Sequence, residues 1–160
     1  YSIGDVVRFI SKNPHRILVS GRTKHFTSAF GEHVIAFEVE EAMKTTVEKF
    51  PAQITEFHLA PQVNPKNGLP YHEWFIEFEK EPENMEAFRK NLDDEMRKRN
   101  TYYDDLISGN ILQPLIITKL KKNAFQDYAK SEGKLGGQNK IPRLANDRKI
   151  GDFLEGFSMK

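Results

Sequence analysis

The chain has 160 residues, enough for one domain with a sizeable core and too few for two ordinary ones. Its 24 Lys and Arg against 23 Asp and Glu leave a formal net charge of +1, which excludes the basic excess of a nucleic-acid binder. The lack of cysteine excludes disulfides, thiolate metal sites and cysteine nucleophiles and fits a cytoplasmic protein, and no apolar run approaches the roughly 18 residues that span a bilayer.

Val6-Val7-Arg8-Phe9-Ile10 is β-branched and apolar and predicts a strand. Lys12-Asn13-Pro14-His15 reads as a turn. Ile17-Leu18-Val19 predicts a second strand ending at Gly21-Arg22, so the pair makes a hairpin. After polar Thr23-Lys24-His25, a short strand is expected over Phe26 to Phe30, closed by Gly31. From Glu38 to Phe50 the apolar residues Val39, Met43, Val47 and Phe50 recur at helical spacing, and Pro51 stops the helix. Ile54 to Val63 reads as a strand and Asn64 to Gly68 as a turn; Tyr71 to Phe78 is the clearest strand of the chain. Pro82-Glu83-Asn84 opens a second helix with Met85, Phe88, Leu92 and Met96 on one face, and Asn100-Thr101 opens a third through Leu106. Leu115-Ile116-Ile117 predicts a buried strand. Asn123 to Ser131 is helical with Phe125 and Tyr128 inward and Gly133 as its cap. Lys134 to Arg143 is a loop, and a last helix runs from about Asp147 with Ile150, Phe153, Leu154 and Phe157 on its apolar side. This order predicts an α+β fold, a mixed α/β sandwich in which a small β-sheet carries helices packed on its faces.

The common catalytic motifs are absent: no phosphate loop, no GxGxxG after a strand, no HExxH, no GxSxG. The histidines His15, His25, His33, His58 and His72 are scattered without ligand spacing, so no metal site is expected, and His58 and His72 read as strand residues with ordinary hydrogen bonds. Asp93-Asp94-Glu95 before Arg97-Lys98-Arg99 reads as a solvated helix face with local ion pairs, and Tyr102-Tyr103-Asp104-Asp105 as a helix packing its rings. Two polar loops stand out. One is Gly21-Arg22-Thr23-Lys24-His25. The other runs from Gly133 to Arg143, with three glycines and the cations Lys134, Lys140 and Arg143. Such a loop can lay an ammonium against a phosphate or carboxylate, although solvated surface loops of this composition are common.

Tyr1-Ser2-Ile3-Gly4-Asp5 resembles the Y-x-x-G-D motif of the adenylate-forming superfamily, which includes luciferases, acyl-CoA synthetases and peptide-synthetase adenylation domains. Gly21-Arg22-Thr23-Lys24 is similar to its G-R-x-[D/K] hinge, and Gly31 to Glu40 to its G-x-x-[I/V]-x-x-x-E-[I/V]-E pattern. Gln138-Asn139-Lys140-Ile141-Pro142-Arg143 resembles the N-Q-Y-K-x-P-R loop of one branch, the plant auxin-responsive promoter family of acyl acid–amido synthetases, with bacterial relatives. Gly4 to Arg8 and Phe125 to Tyr128 fit that branch too, and a bacterial member is expected. Ser2 stands where many members have Arg, and the loop lacks the P-x-T-x-x-G-K form of the acyl-CoA synthetases.

The resemblance implies that residues 1–160 are the C-terminal lid domain of a larger ligase, with the inter-domain hinge region inside residues 1–24 and the N-terminal domain missing. Tyr1, in place of Met, leading straight into a strand fits a fragment that is inactive alone. The whole enzyme would adenylate a carboxylic acid with ATP and magnesium, then pass the acyl group to the amine of an amino acid. The fragment alone would bind no cofactor tightly. Its partners would be its own N-terminal domain and the small-molecule acid and amino acid, with no nucleic acid and no membrane. By resemblance, Asp5 and Arg22 contact the nucleotide, Lys24 is the hinge, Lys140 is catalytic, and Gln138, Asn139 and Arg143 support its loop. An acyl-CoA synthetase-type lid and a non-catalytic α+β binding module are the alternatives.

Overall fold

The computed structural model of the chain describes residues 5–22, 26–133 and 141–159. In chain order the elements are β1 (Asp5–Lys12), β2 (His15–Arg22), β3 (Phe26–Thr27), β4 (Val34–Ile35), α1 (Ala36–Lys49), β5 (Gln53–Gln62), β6 (Tyr71–Lys80), α2 (Met85–Arg99), α3 (Thr101–Ser108), β7 (Ile116–Leu120), α4 (Ala124–Ser131) and α5 (Lys149–Glu155). The α+β expectation is borne out. A central sheet runs β5–β6–β7, with β5 antiparallel to β6 (Leu59 opposite Trp74) and β7 parallel to it (Ile117 opposite Trp74).

β6 is the middle strand and is covered on both faces, so alternate residues enter two different cores. Trp74, Ile76 and Phe78, with Phe57 and Leu59 from β5, face α1, α2 and α3 in the larger core. Phe75 and Ala60 face α4 and α5 in the smaller one. Burying Trp74 and Phe75 completely removes two large rings from water, worth on the order of 2–3 kcal/mol each.

The helices start where side chains satisfy their first amides. Glu38 accepts the Ile35 N–H at 3.1 Å, which lets α1 begin at Ala36, two residues before the apolar stripe suggested. Asn84 caps α2 at Ala87 N (2.9 Å), and Asn100 caps α3 at Tyr103 N (2.8 Å). α4 is capped across the sheet: Glu77 of β6 accepts the Asn123 N–H at 2.8 Å. The C-terminal segment closes the β7 edge, with Met159 N donating to Lys119 O at 2.8 Å.

Three local expectations are corrected. The strand expected over Phe26 to Phe30 is only Phe26–Thr27, because Gly31, at φ 89°, donates its N–H to Ser28 O and turns the chain toward β4. Asp93 is not on a solvated face: it is buried, accepting both the Tyr103 hydroxyl (2.7 Å) and the Leu115 N–H (3.0 Å). Of the two tyrosine rings expected to pack, Tyr103 is fully buried and Tyr102 is 68% exposed. Glu95 is buried as well, yet it forms the expected local pairs, with Lys98 at 2.7 Å and with Arg99.

β1 and β2 pair with each other and join no other described strand. Phe9 sits opposite Ile17, and Val7 lies two residues from Phe9, so the three share a face; they are 60%, 55% and 44% exposed.

Candidate functional site

Of the residues expected to carry function, Lys24, Gln138, Asn139 and Lys140 lie outside the described residues. Asp5 and Arg22 are cross-strand partners at the open end of the β1–β2 hairpin. A carboxylate residue and a guanidinium residue separated by 17 positions in sequence are therefore neighbours in space. One can accept hydroxyl protons and the other can donate to phosphate oxygens. Arg143 is held by an ion pair to Glu56 (2.5 Å), and its guanidinium lies 4.4 Å from the centre of the Phe57 ring.

The chain from Pro142 to Ala145 is fastened along the outer edge of β5. Leu59 N donates to Arg143 O at 2.9 Å, and Ala145 N donates to Leu59 O at 3.0 Å. Leu144 pairs with Leu59 in parallel fashion and is buried. Next to it, His58 Nδ1 lies 2.7 Å from Pro142 O. A carbonyl only accepts, so Nδ1 carries the proton. Burial pushes the His58 imidazole down to about 4, and the ring is neutral at pH 7. Just beyond, Asn146 Oδ1 accepts the Ser28 N–H (2.8 Å) and lies 3.4 Å from the Thr27 hydroxyl. The first described residues after the expected hinge are thus bonded to the segment that follows the expected catalytic loop. On the other side, Gly133 at φ 68° donates to Lys130 O as α4 ends.

A second polar group supports the same turn. Glu32 is fully buried; its carboxylate accepts the Phe30 N–H (2.8 Å) and lies 2.9 Å from His72 Nε2. Burial acts to raise its carboxyl, but the bonds from His72 and the backbone leave it below the ordinary carboxylate value. His72 stacks on Tyr103 with ring centres 5.0 Å apart. On the α4/α5 face, Glu73 bridges Arg148 (2.9 Å) and Thr118 (2.5 Å). No three His, Asp or Glu among the described residues converge as metal ligands.

His58 and His72 are strand residues with hydrogen bonds, as expected, but sequence reasoning did not name their partners, and it missed Glu32, Asn146 and Arg148. Each has a partner far away in sequence, for example 40 positions for Glu32 and His72 and 118 for Ser28 and Asn146. The one usable signal was at His58, a polar strand residue between buried Phe57 and Leu59 that needs a partner; Glu32, Asn146 and Arg148 lie outside the strands and carry no such pattern.

The family described as the GH3 family C-terminal domain matches residues 37–149. Comparison with curated proteins gives no match. Among solved structures, one described as GH3.15 acyl acid amido synthetase superposes with a TM-score of 0.73 at 17% identity, covering 99% of this chain and 31% of its own. Another, AtGH3.15 acyl acid amido synthetase in complex with 2,4-DB, gives 0.74 at 16% identity, with 99% and 30% covered. These likenesses establish the fold, and the chain spans about 31% of the length of the first.

Proposed function

Because this chain belongs to the GH3 C-terminal domain family, we propose that it is the mobile lid of an ATP-dependent ligase that adenylates a carboxylic acid and joins it to the amine of an amino acid. The observation that carries this reading is likeness in fold over 99% of the chain to acyl acid amido synthetases of which it spans about a third. The apolar face of Val7, Phe9 and Ile17 supports it, since a face of that kind calls for a cover.

In the first step a carboxylate oxygen of the acid attacks the α-phosphorus of ATP and pyrophosphate leaves. In the second the amine nitrogen attacks the acyl carbon and gives up a proton to solvent, and AMP leaves with the electrons of the C–O bond. A free carboxylate resists the second step because its leaving group is oxide; the mixed anhydride replaces oxide with AMP. Lys140 would set its ammonium against the oxygens that gain charge in the first step, a cation worth several kcal/mol in a water-poor site, on the order of 10²–10³ in rate. Asp5 would accept the ribose hydroxyls, with Arg22 beside it on the nucleotide. The pairing of Asp5 with Arg22 in the hairpin register supports a shared task for these two. Lys24 would be the pivot. Magnesium would accompany ATP; no three His, Asp or Glu among the described residues converge as its ligands.

The test is ATP–pyrophosphate exchange by the full-length protein over a panel of carboxylic acids, with Lys140→Ala alongside and amide products read by mass spectrometry after adding amino acids. The expected result is acid-dependent exchange that falls about 10²–10³-fold in the variant with an unchanged melting temperature. Exchange that survives the substitution, or a variant that unfolds, counts against Lys140.

A further inference from the structure

We infer that His58 is a positioning residue: by donating Nδ1–H to the Pro142 carbonyl it fixes the chain at the root of the loop that carries Lys140. This rests on the reading of Lys140 as catalytic. Lys140 is two peptide units from Pro142, roughly 7.6 Å at most between α-carbons by bond geometry alone. A clamp on Pro142 therefore limits where the ammonium can start from.

The case is geometric. Three backbone or side-chain bonds join β5 residues 58 and 59 to residues 142, 143 and 145, all between 2.7 and 3.0 Å. Two of them are backbone bonds that any sequence can make. The third needs a donor at the position of Nδ1, which few side chains supply. His58 is fully buried, and its other nitrogen, Nε2, is buried with no hydrogen-bond partner among the described residues. A histidine kept only for packing would cost less as an apolar residue. With no partner for Nε2 among the described residues, the bond that Nδ1 makes on the opposite side of the ring accounts for a histidine at this position. The low proton affinity of the buried ring keeps it neutral, so this donor is unchanged across the neutral range.

Side-chain stereochemistry supplies the test. The amide nitrogen of Asn sits close to where His places Nδ1; that of Gln sits close to Nε2. In the full-length protein, His58→Asn, His58→Gln and His58→Leu are compared by hydrogen exchange at the Leu59 and Ala145 amides and by kcat and KM for ATP–pyrophosphate exchange with the acid found active above. His58→Leu and His58→Gln are expected to speed exchange of those two amides about 10-fold or more and to lower kcat by a similar factor with KM nearly unchanged, while Asn restores both. If Leu unfolds the protein, the contrast between Asn and Gln decides. Equal behaviour of Asn and Gln, or unchanged amide exchange in the folded Gln variant, overturns the clamp. Loosened amides with unchanged kcat, where Lys140→Ala abolishes activity, overturn the positioning role alone. If Lys140→Ala leaves activity intact, the catalytic reading fails instead, and the amide exchange still judges the clamp.

Discussion

At position 58 one imidazole is both a structural donor and a titrating group. Its folded-state value of about 4 lies below the 6.5 of an exposed histidine because burial penalises the cation. Between those values the unfolded chain holds a proton that the folded chain does not. The stability it contributes is complete above pH 6.5 and drains away as pH falls through 4. From pH 7 to pH 5 the loss should be about 2 kcal/mol. Urea unfolding at the two pH values should show it, and His58→Asn, which does not titrate, should remove most of it. Glu32 acts in a different window. Burial opposes its charge, the bonds from His72 and the backbone outweigh that, and its depressed carboxyl gives stability that is lost only as pH falls below its ordinary 4.5. Neither effect could be read locally, since the groups that bury His58 and charge Glu32 come from distant chain segments.

Among the elements, α5 meets the sheet at one glycine. A β-carbon on Gly151 would stand 2.9 Å from Phe75 Cε2 and 3.3 Å from the Ala60 β-carbon. In an exposed helix Gly→Ala gains about 1 kcal/mol. Here Phe75 is fully buried and cannot swing aside, so Gly151→Ala should lower stability by about 1–3 kcal/mol as overpacking outweighs propensity. Thermal denaturation would register this as a lower melting temperature. The existence of this helix was legible from Ile150, Phe153, Leu154 and Phe157. Its start at Lys149, its close approach to Phe75, and the capping of α4 by Glu77 were not. Periodicity reports which face is apolar, whereas caps and close approaches depend on the facing element.

For the molecule as a whole, the β1–β2 hairpin is the telling part. It carries Val7, Phe9, Ile10, Ile17 and Leu18 exposed at 41–60%, although the composition is that of a polar-surfaced globular chain. The proposed lid would lay this surface on the rest of its ligase. Hydrogen exchange over residues 5–22 should then be slower, by about tenfold or more, in the full-length protein than in the 160-residue chain alone, since covered amides open less often. Equal exchange in both would remove the hairpin from the inter-domain contact.

Sequence alone determined the family likeness, the α+β class, nearly every helix and the strong strands β5 and β6. Those depend on contiguous patterns: apolar spacing, cap residues, and motifs whose residues sit close together in the chain. It also singled out Asp5 and Arg22, and the hairpin register joins them because a turn at Asn13–Pro14 folds one strand back on the other. Only the tertiary structure decided that β6 serves two cores, that Asp93 is an interior acceptor rather than a solvated charge, and that His58 and Asn146 fasten the segment beyond the lysine loop. The physical reason is the same in each case. A buried polar group is satisfied by whatever the fold brings within about 3 Å, and no local pattern encodes a partner 84 or 118 residues away.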